Sequence, residues 1–585
     1  MSGAKGDEPG RGLQAPAPLW VEPDAVDAGA VRALARELKL PEAVCRVLAV
    51  RGLTDPAEAK RFLRPRLEHL HDPALLADGP AAARRIAAAL RGGETLLVHG
   101  DYDVDGIAAT ALLTRRLRSL GGSVVPFVPH RMRDGYDFGP AGLAAARECG
   151  ASLIVTADCG TMARETVERA QEAGITVVIT DHHAVGEGHA VPDFFVNPHR
   201  PDDTYPDKGL CGTGVAYKML ELVERELGRE GDELREYLDV VALATVADLV
   251  PLRGENRVLV HFGLRRFPHT RFVGLEALME EAGMDATRAG AGALGFTLGP
   301  RLNAAGRMGE SNDALRLLLT EDRAEAAALA GKLGEVNRAR RDEDRRTLDE
   351  ALRLLEADYD PDADFGVVLA SEGWHPGIIG IVASRIVERI HRPTILIALD
   401  GEGGRGSGRS IPGFDLHRAL VPLGSHLKRF GGHAQAAGLD IGRNRLSAFQ
   451  EAFNREARAR LEDVALRPRL RADGFLDVKE VSGDLVHWLG YLGPHGIGNP
   501  GPVFLASSVE VVEPRVVGSD HLKAKLRAPG APAVDAIGFG LADRHAPARV
   551  ARGRWDAMVR LEFNEWKGRR RVQARILDLR PAHTP

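Results

Sequence analysis

The stretch TLLVHGDYDVDG, residues 95–106, runs from an apolar segment straight into three aspartates at alternate positions, Asp101, Asp103 and Asp105. Thr95, Leu96, Leu97 and Val98 have the length and composition of a buried strand. Carboxylates at the end of such a strand repel one another and gain nothing from an apolar core, so their arrangement calls for a cation or a polar substrate. The text that follows repeats the theme. Short runs rich in valine, isoleucine and leucine (SVVPFV, SLIVTADCG, TVVITDHH) alternate with helical segments such as IAATALLTRRLRSLG and ARETVERAQEAG. Strand and helix alternating at this spacing predict βαβ units and a buried parallel sheet, whose ligands collect outside the carboxyl ends of the strands.

Two of the later strands also end in ligand-type side chains, Asp158 in TADCG and Asp181, His182 and His183 in TDHH. A further aspartate, Asp248, interrupts the apolar helical text VVALATVADLVPL. Taken singly, Asp158 or Asp181 reads as a turn former or helix N-cap, the histidine pair as a surface feature, and Asp248 as a satisfied polar group in a helix. Jointly, three acidic strand ends on one sheet edge need more positive charge than one arginine brings, whereas two divalent cations match them. Oxygen ligands with one or two imidazoles suit Mn²⁺ or Mg²⁺, and two such ions ~4 Å apart clamp a phosphoester for in-line attack.

Beyond this region, the 585-residue chain is too long for one core. Its text divides into a Pro/Gly-rich leader and helical flank (1–80), the βαβ region (81–320), a long charged helix (321–358), a second and smaller α/β region (359–465), and a series of short strands with turn signals that predicts a small β-barrel (466–585). The amino-terminal text lacks a signal-peptide core and no apolar run reaches the ~18 residues of a membrane helix, which predicts a cytoplasmic protein without membrane contact. Four widely spaced cysteines without a CxxC pair indicate neither a disulfide framework nor a structural zinc site. Residues 466–585 carry 19 Lys and Arg against 13 Asp and Glu, a balance of +6 that leaves −11 for the rest of a chain whose net charge is −5. An acidic body with a basic tail suits a metal site joined to a polyanion-binding module.

The motifs HGDYDVDG, TADCG, TDHH and ATVADLVPL, in that order, resemble the successive signatures of the DHH phosphoesterase superfamily, and GGHAQAAG (431–438) resembles the glycine-rich signature of its DHHA1 domain. The segments GPRLNAAGRM, EGWHPGIIGIVASRI, GSGRSIPGFDLHRAL and LGPHGIGNPGPVF narrow the resemblance to the RecJ family of bacterial single-strand-specific exonucleases, from about residue 40 to the C-terminus. Carried over residue by residue, it implies metal ligation by Asp103, Asp105, Asp158, His182 and Asp248, with Asp158 bridging two ions of Mn²⁺ or Mg²⁺. His183 is expected near the scissile phosphate and Asp181 behind the imidazoles. Asp101 joins His182 and His183 in the catalytic set, its own task left open.

For DNA the resemblance points to Arg301, Asn303 and Arg307, to Trp374 and His375, to Arg385 and Arg409, and to Gly431, Gly432 and His433. Arg131 and Arg133 lie near the site, and Tyr136 is left out of it because GYDFG departs from the family's text. In the carboxyl-terminal segment, which resembles an OB fold, Lys523, Lys525, Lys567 and Arg569 to Arg571 supply charge, with Phe563 and Trp566 beside them. The resemblance implies 5′→3′ hydrolysis of single-stranded DNA to 5′-mononucleotides in repair and recombination, beside single-strand-binding protein and a helicase; a monomer is expected. Two rivals are a DHH phosphodiesterase of short oligonucleotides or cyclic dinucleotides and a non-catalytic DHH replication scaffold. The +6 tail argues against the first, and retention of every aspartate and histidine against the second.

Overall fold

The computed structural model describes residues 13, 15–131, 133–308, 311–462, 464–566 and 568–582. Most of the leader and Lys567 therefore lie outside the described residues, as does the side chain of Trp566. The chain forms two compact units, one of residues 22–337 and 471–585, the other of residues 1–21 and 338–470.

In the larger unit, five strands form a fully parallel sheet: β1 (Thr95–Gly100), β2 (Ser123–Phe127), β3 (Leu153–Ala157), β4 (Thr176–Thr180) and β5 (Phe194–Val196), in the order β2-β1-β3-β4-β5. The strands are mainly apolar because both faces are covered. Leu96, Val98, Val155 and Val178 enter one core, while Leu97, Ile154, Val177 and Ile179 enter the other. Helices α1 (Val104–Ser119), α2 (Gly212–Glu226) and α3 (Leu238–Ala247) fill the first core, and α3 is buried nearly all round. Two further helices matter for the site, α4 (Gly254–Arg266) and α5 (Gly299–Met308). A single helix, α6 (Arg323–Asp358), runs from this unit into the other.

The smaller unit holds a mixed sheet of β6 (Val367–Ser371), β7 (Thr394–Asp400), β8 (Gly403–Arg409), β9 (Leu427–Gly432) and β10 (Ala436–Gly442), ordered β9-β10-β8-β7-β6, with α7 (Ile379–Ile390) against it. Only β6 and β7 are parallel.

The chain then returns to the larger unit with β11 (Gly474–Phe475), β12 (Phe504–Val517), β13 (His521–Arg527), β14 (Val534–Gly538), β15 (Trp555–Trp566) and β16 (Arg569–Pro581). Their order is β11-β12-β13-β14-β16-β15, and β12 also pairs with β15, so the sheet curls round toward a ring. The curvature enters at interruptions in β12, where Ser508 and Glu513 take positive φ and the register shifts. The amino-terminal helices lay Leu34, Val44 and Leu48 on the core of this sheet.

Candidate active site

The strand order reverses direction between β1 and β3, which places a crevice at the carboxyl ends of β1, β3 and β4. After β1, Asp103 caps α1, its Oδ1 accepting from the N–H groups of Asp105 (3.0 Å) and Gly106 (3.1 Å). Asp105 lies across the N-terminus of α2 and accepts from the N–H groups of Gly212 (2.6 Å) and Thr213 (2.8 Å), where the helix dipole favours an anion. After β3, Asp158 takes φ +65°, a left-handed conformation uncommon outside glycine, and brings its Oδ1 to 3.1 Å from His182 Nε2. After β4, the Asp181 carboxylate accepts from the N–H groups of Thr161, His182 and His183 and faces His183 Nδ1 at 2.8 Å, fixing that ring. Asp248, the C-cap of α3, stands 3.6 Å from His182 Nε2, and Asp105 stands 3.8 Å from it.

His182 Nε2 thus faces three carboxylates, and two ligand groups overlap on it: Asp158, His182 and His183, and Asp105, His182 and Asp248, each with its ligand atoms within 4.8 Å of one another. Asp158 Oδ1, His182 Nε2 and Asp101 Oδ1 are buried and find no hydrogen-bond partner among the described residues. Burial, then the neighbouring carboxylates, holds the Asp158 carboxyl well above the usual range and pushes Asp248 up to about 9. Burial followed by Asp103 does the same to Asp101. Asp181 is the exception, because although burial works against its charge, the hydrogen bond and charge of His183 outweigh it and hold the carboxyl near 2. A knot of acids that destabilise one another, with orphaned oxygen and imidazole atoms pointing inward, fits hard divalent cations of the Mn²⁺ or Mg²⁺ kind.

Tyr136, left out on sequence grounds, is brought back by the structure. Its hydroxyl lies 3.2 Å from His183 Nε2, so that ring is held between Asp181 and a phenol. The loop after β2 is held beside the crevice by Asp137, whose Oδ1 accepts from the N–H of Gly160 (2.6 Å).

The DNA-binding candidates separate. Arg301 is committed to Glu281 (2.7 Å) and to the carbonyl of Thr297 (2.8 Å). Asn303 accepts from the N–H of Val104 (3.1 Å), and Gly306 of the same helix abuts the carbonyl of Tyr102, so α5 braces the aspartate loop. Arg307 lies half-buried on that helix. In the smaller unit, Trp374 is only 4% exposed in an apolar cluster and offers no free face for a base, and Arg385 pairs with the buried Asp344 at 2.9 Å. Trp374 is thus a core residue, whereas Arg385 keeps 46% of its side chain exposed beside that ion pair. His375 turns its Nδ1 to the N–H of Gly377 (3.1 Å) at the start of the segment leading into α7. Gly431, Gly432, His433 and Arg409 do assemble: β10 pairs with both β9 and β8, with Ala437 opposite Gly432 and Ala436 opposite Arg409, and the glycines and His433 are exposed. On the carboxyl-terminal sheet, Lys523, Arg569 and Arg571 join Arg515 around a groove of about 670 Å³, Arg570 stacks on Phe563 (3.7 Å to the ring centre), and Lys525 pairs with Glu513 (2.8 Å).

With this geometry in place, comparison with known proteins is specific. Residues 95–245 match the DHH family, N-terminal domain, residues 364–459 the DHHA1 domain, and residues 472–578 the RecJ OB domain. The single-stranded-DNA-specific exonuclease RecJ of Dickeya dadantii is 37% identical over 93% of this chain and 96% of its own length. The crystal structure of RecJ from Thermus thermophilus in complex with Mn²⁺ superposes with a TM-score of 0.83 at 33% identity, covering 97% of this chain and 80% of that one. The Mg²⁺ complex of RecJ from the same organism gives 0.78 at 31% identity, over 97% and 79%. Identity at this level across nearly the whole length, with all three domains in order, places the chain in the RecJ family.

Proposed function

We propose that the chain is a single-stranded-DNA-specific exonuclease that hydrolyses terminal phosphodiesters in the 5′→3′ direction, releasing 5′-mononucleotides with the help of two divalent cations, Mn²⁺ or Mg²⁺. The observation that carries this reading is His182 Nε2, buried, without a hydrogen-bond partner among the described residues, and facing Asp105, Asp158 and Asp248 at 3.8, 3.1 and 3.6 Å. Asp103, Asp105, Asp158, His182 and Asp248 would hold the cations. Bound there, the pair supplies charge for the phosphate and lowers the pKa of an attacking water. Asp181 keeps His183 in one orientation, and the half-exposed ring directs Nε2 to the side where Tyr136 stands, placing a donor for a phosphate oxygen. Asp101 adds a buried oxygen that awaits a partner.

Gly431, Gly432, His433 and Arg409 form an anion-binding edge in the smaller unit, and the groove around Lys523, Arg569 and Arg571 receives single-stranded DNA. We keep the division into a flank (1–80), DHH domain (81–320), connecting helix (321–358), DHHA1 domain (359–465) and OB domain (466–585). No helix among the described residues is long and apolar enough to cross a membrane. A cytoplasmic monomer acting in repair and recombination, beside single-strand-binding protein and a helicase, fits this reading. The test is Mn²⁺-dependent degradation of single strands blocked at the 5′ or the 3′ end, with Asp158→Ala as control. Protection by the 5′ block alone supports the proposal, and loss of material from 5′-blocked strands or activity in the control refutes it.

A further inference from the structure

The loop LGPHGIGNPGP, residues 492–502, leads into the carboxyl-terminal sheet, and it binds the chain directly after Asp248. The N–H of Leu252 donates to the carbonyl of Ile497 (2.7 Å), and Arg253 Nε donates to the carbonyl of Gly498. Gly498 has φ +72°, and a Cβ there would lie 3.0 Å from Pro251 Cβ, while one at Gly496 would lie 2.7 Å from Leu252 Cδ1. Near the start of α4, Arg257 donates to the carbonyls of Tyr491 and Leu492, both at 3.0 Å.

The loop itself is stiff. Gly496 and Asn499 exchange backbone hydrogen bonds at 3.0 and 3.1 Å, and the buried Asn499 amide donates to the carbonyls of Leu492 and Pro494 (2.8 Å each) and accepts from Arg51 (2.7 Å). Asp248 therefore sits between two anchors, the end of the buried helix α3 and this clamp. The link between them, Leu249, is exposed and held at φ +60°. A non-glycine residue does not keep that conformation unless its surroundings impose it.

We propose that the 493–500 loop positions Asp248, so that cation affinity at the Asp105, His182 and Asp248 group is set from the carboxyl-terminal domain. Released from the clamp, Leu249 relaxes to negative φ and the Asp248 carboxylate turns away from His182. The inference rests on the reading of Asp248 as a cation ligand, given above.

The test is Mn²⁺ titration of the full chain, followed by calorimetry and by loss of the free-ion electron-spin signal, for Gly498→Val, Arg253→Ala and Asp248→Asn. Thermal denaturation in chelator identifies the variants that fold, and Arg253→Ala, which deletes a single side-chain contact, carries the test if Gly498→Val does not fold. Residues that orient a ligand from behind typically change metal affinity about 10–100-fold, and a weakening of that size in the latch variants is expected for one of the two ions. Unchanged Mn²⁺ affinity in a folded latch variant, with Asp248→Asn weakened, overturns the latch alone. Unchanged affinity in all three overturns the ligand reading beneath it.

Discussion

Replacing Gly212 by alanine adds one methyl group and removes no functional group, yet it strikes the point where two site carboxylates meet. An ideal Cβ at position 212 would fall 2.4 Å from Asp158 Cβ and 2.5 Å from its Oδ1, whereas ordinary contacts begin at 3.4 Å, so one side must yield by about 1 Å. Helix α2 cannot retreat freely, because the Gly212 N–H holds Asp105 at 2.6 Å. Asp158 cannot swing freely either, being already at φ +65°. A displacement of 1 Å at a reacting centre costs about 10²-fold in rate, or ~2.7 kcal/mol of transition-state stabilisation. Overpacking costs about 1–3 kcal/mol of stability, offset by up to ~1 kcal/mol on replacing a helical glycine, so the variant is expected to fold. The assay is single-turnover degradation of labelled single-stranded DNA at saturating Mn²⁺, beside thermal denaturation in chelator. Gly331→Ala in α6, whose Cβ meets nothing within 4 Å, is the control for a helical glycine. A folded Gly212→Ala protein with the parent's rate would refute the argument that carboxylate spacing governs the chemistry.

Three further expectations concern other parts of the molecule. Burial pushes the Asp239 carboxyl in α3 up to about 6, so its contribution to stability is present below the unfolded value near 4 and is lost as pH rises through 6, about 3 kcal/mol in all; Asp239→Asn should remove that decline, and equal urea midpoint shifts at pH 4 and 7 would contradict it. Replacing Lys523, Arg569 and Arg571 together by alanine should weaken single-strand binding and lower the slope of log K against log salt by about 2, as for three lost phosphate contacts; an unchanged slope would place the DNA elsewhere. Tyr136→Phe deletes the hydroxyl facing His183 Nε2 and should slow turnover about fivefold, the equivalent of one hydrogen bond of ~1 kcal/mol, with the metal-free melting temperature unmoved; an unaltered rate would leave the phenol without a part in the chemistry.

The parallel sheet was legible because its strands are apolar on both faces and its helices carry a different period, and the location of the site followed from the carboxyl ends of those strands. Asp248 stood out as the aspartate in an apolar helical run, but its approach to His182 was not legible from pattern. It ends a helix rather than a strand, and only the packing of α3 brings it to His182. Arg385 and Trp374 show the converse: arginine and tryptophan are the residue types a nucleic-acid surface uses, but whether a guanidinium is free or a ring face open depends on neighbours distant in sequence, here Asp344 for the arginine and an apolar cluster for the tryptophan. Asn303 is a third case, its amide being turned to the Val104 N–H and so bracing the aspartate loop. Likewise the runs of β12 and β15 were readable as strands, while their mutual pairing, which curls the sheet round, was not; of the two interruptions in β12, the one at Glu513 is marked by the following Pro514, and the one at Ser508 by nothing comparable.

Strain and like charge occur together at this site for one physical reason. Asp137, Asp158 and Leu249 take φ of +75°, +65° and +60°, conformations that cost about 1–3 kcal/mol each. Asp158 leaves β3, a strand fixed by cores on both faces; Asp137 is tied to the N–H of Gly160; and Leu249 lies between the buried helix α3 and the bonds that Leu252 and Arg253 make to the 497–498 carbonyls. The fold itself brings the carboxylates together, which is the condition under which fixed charges lower a barrier instead of reorganising with it. The alternate aspartates divide accordingly. Asp103 is held by the helix it caps and Asp105 by the N-terminus of α2, whereas Asp101 keeps one oxygen without a partner among the described residues. Of the three it is bound least by the protein's own groups, so its charge and direction respond most to whatever occupies the site.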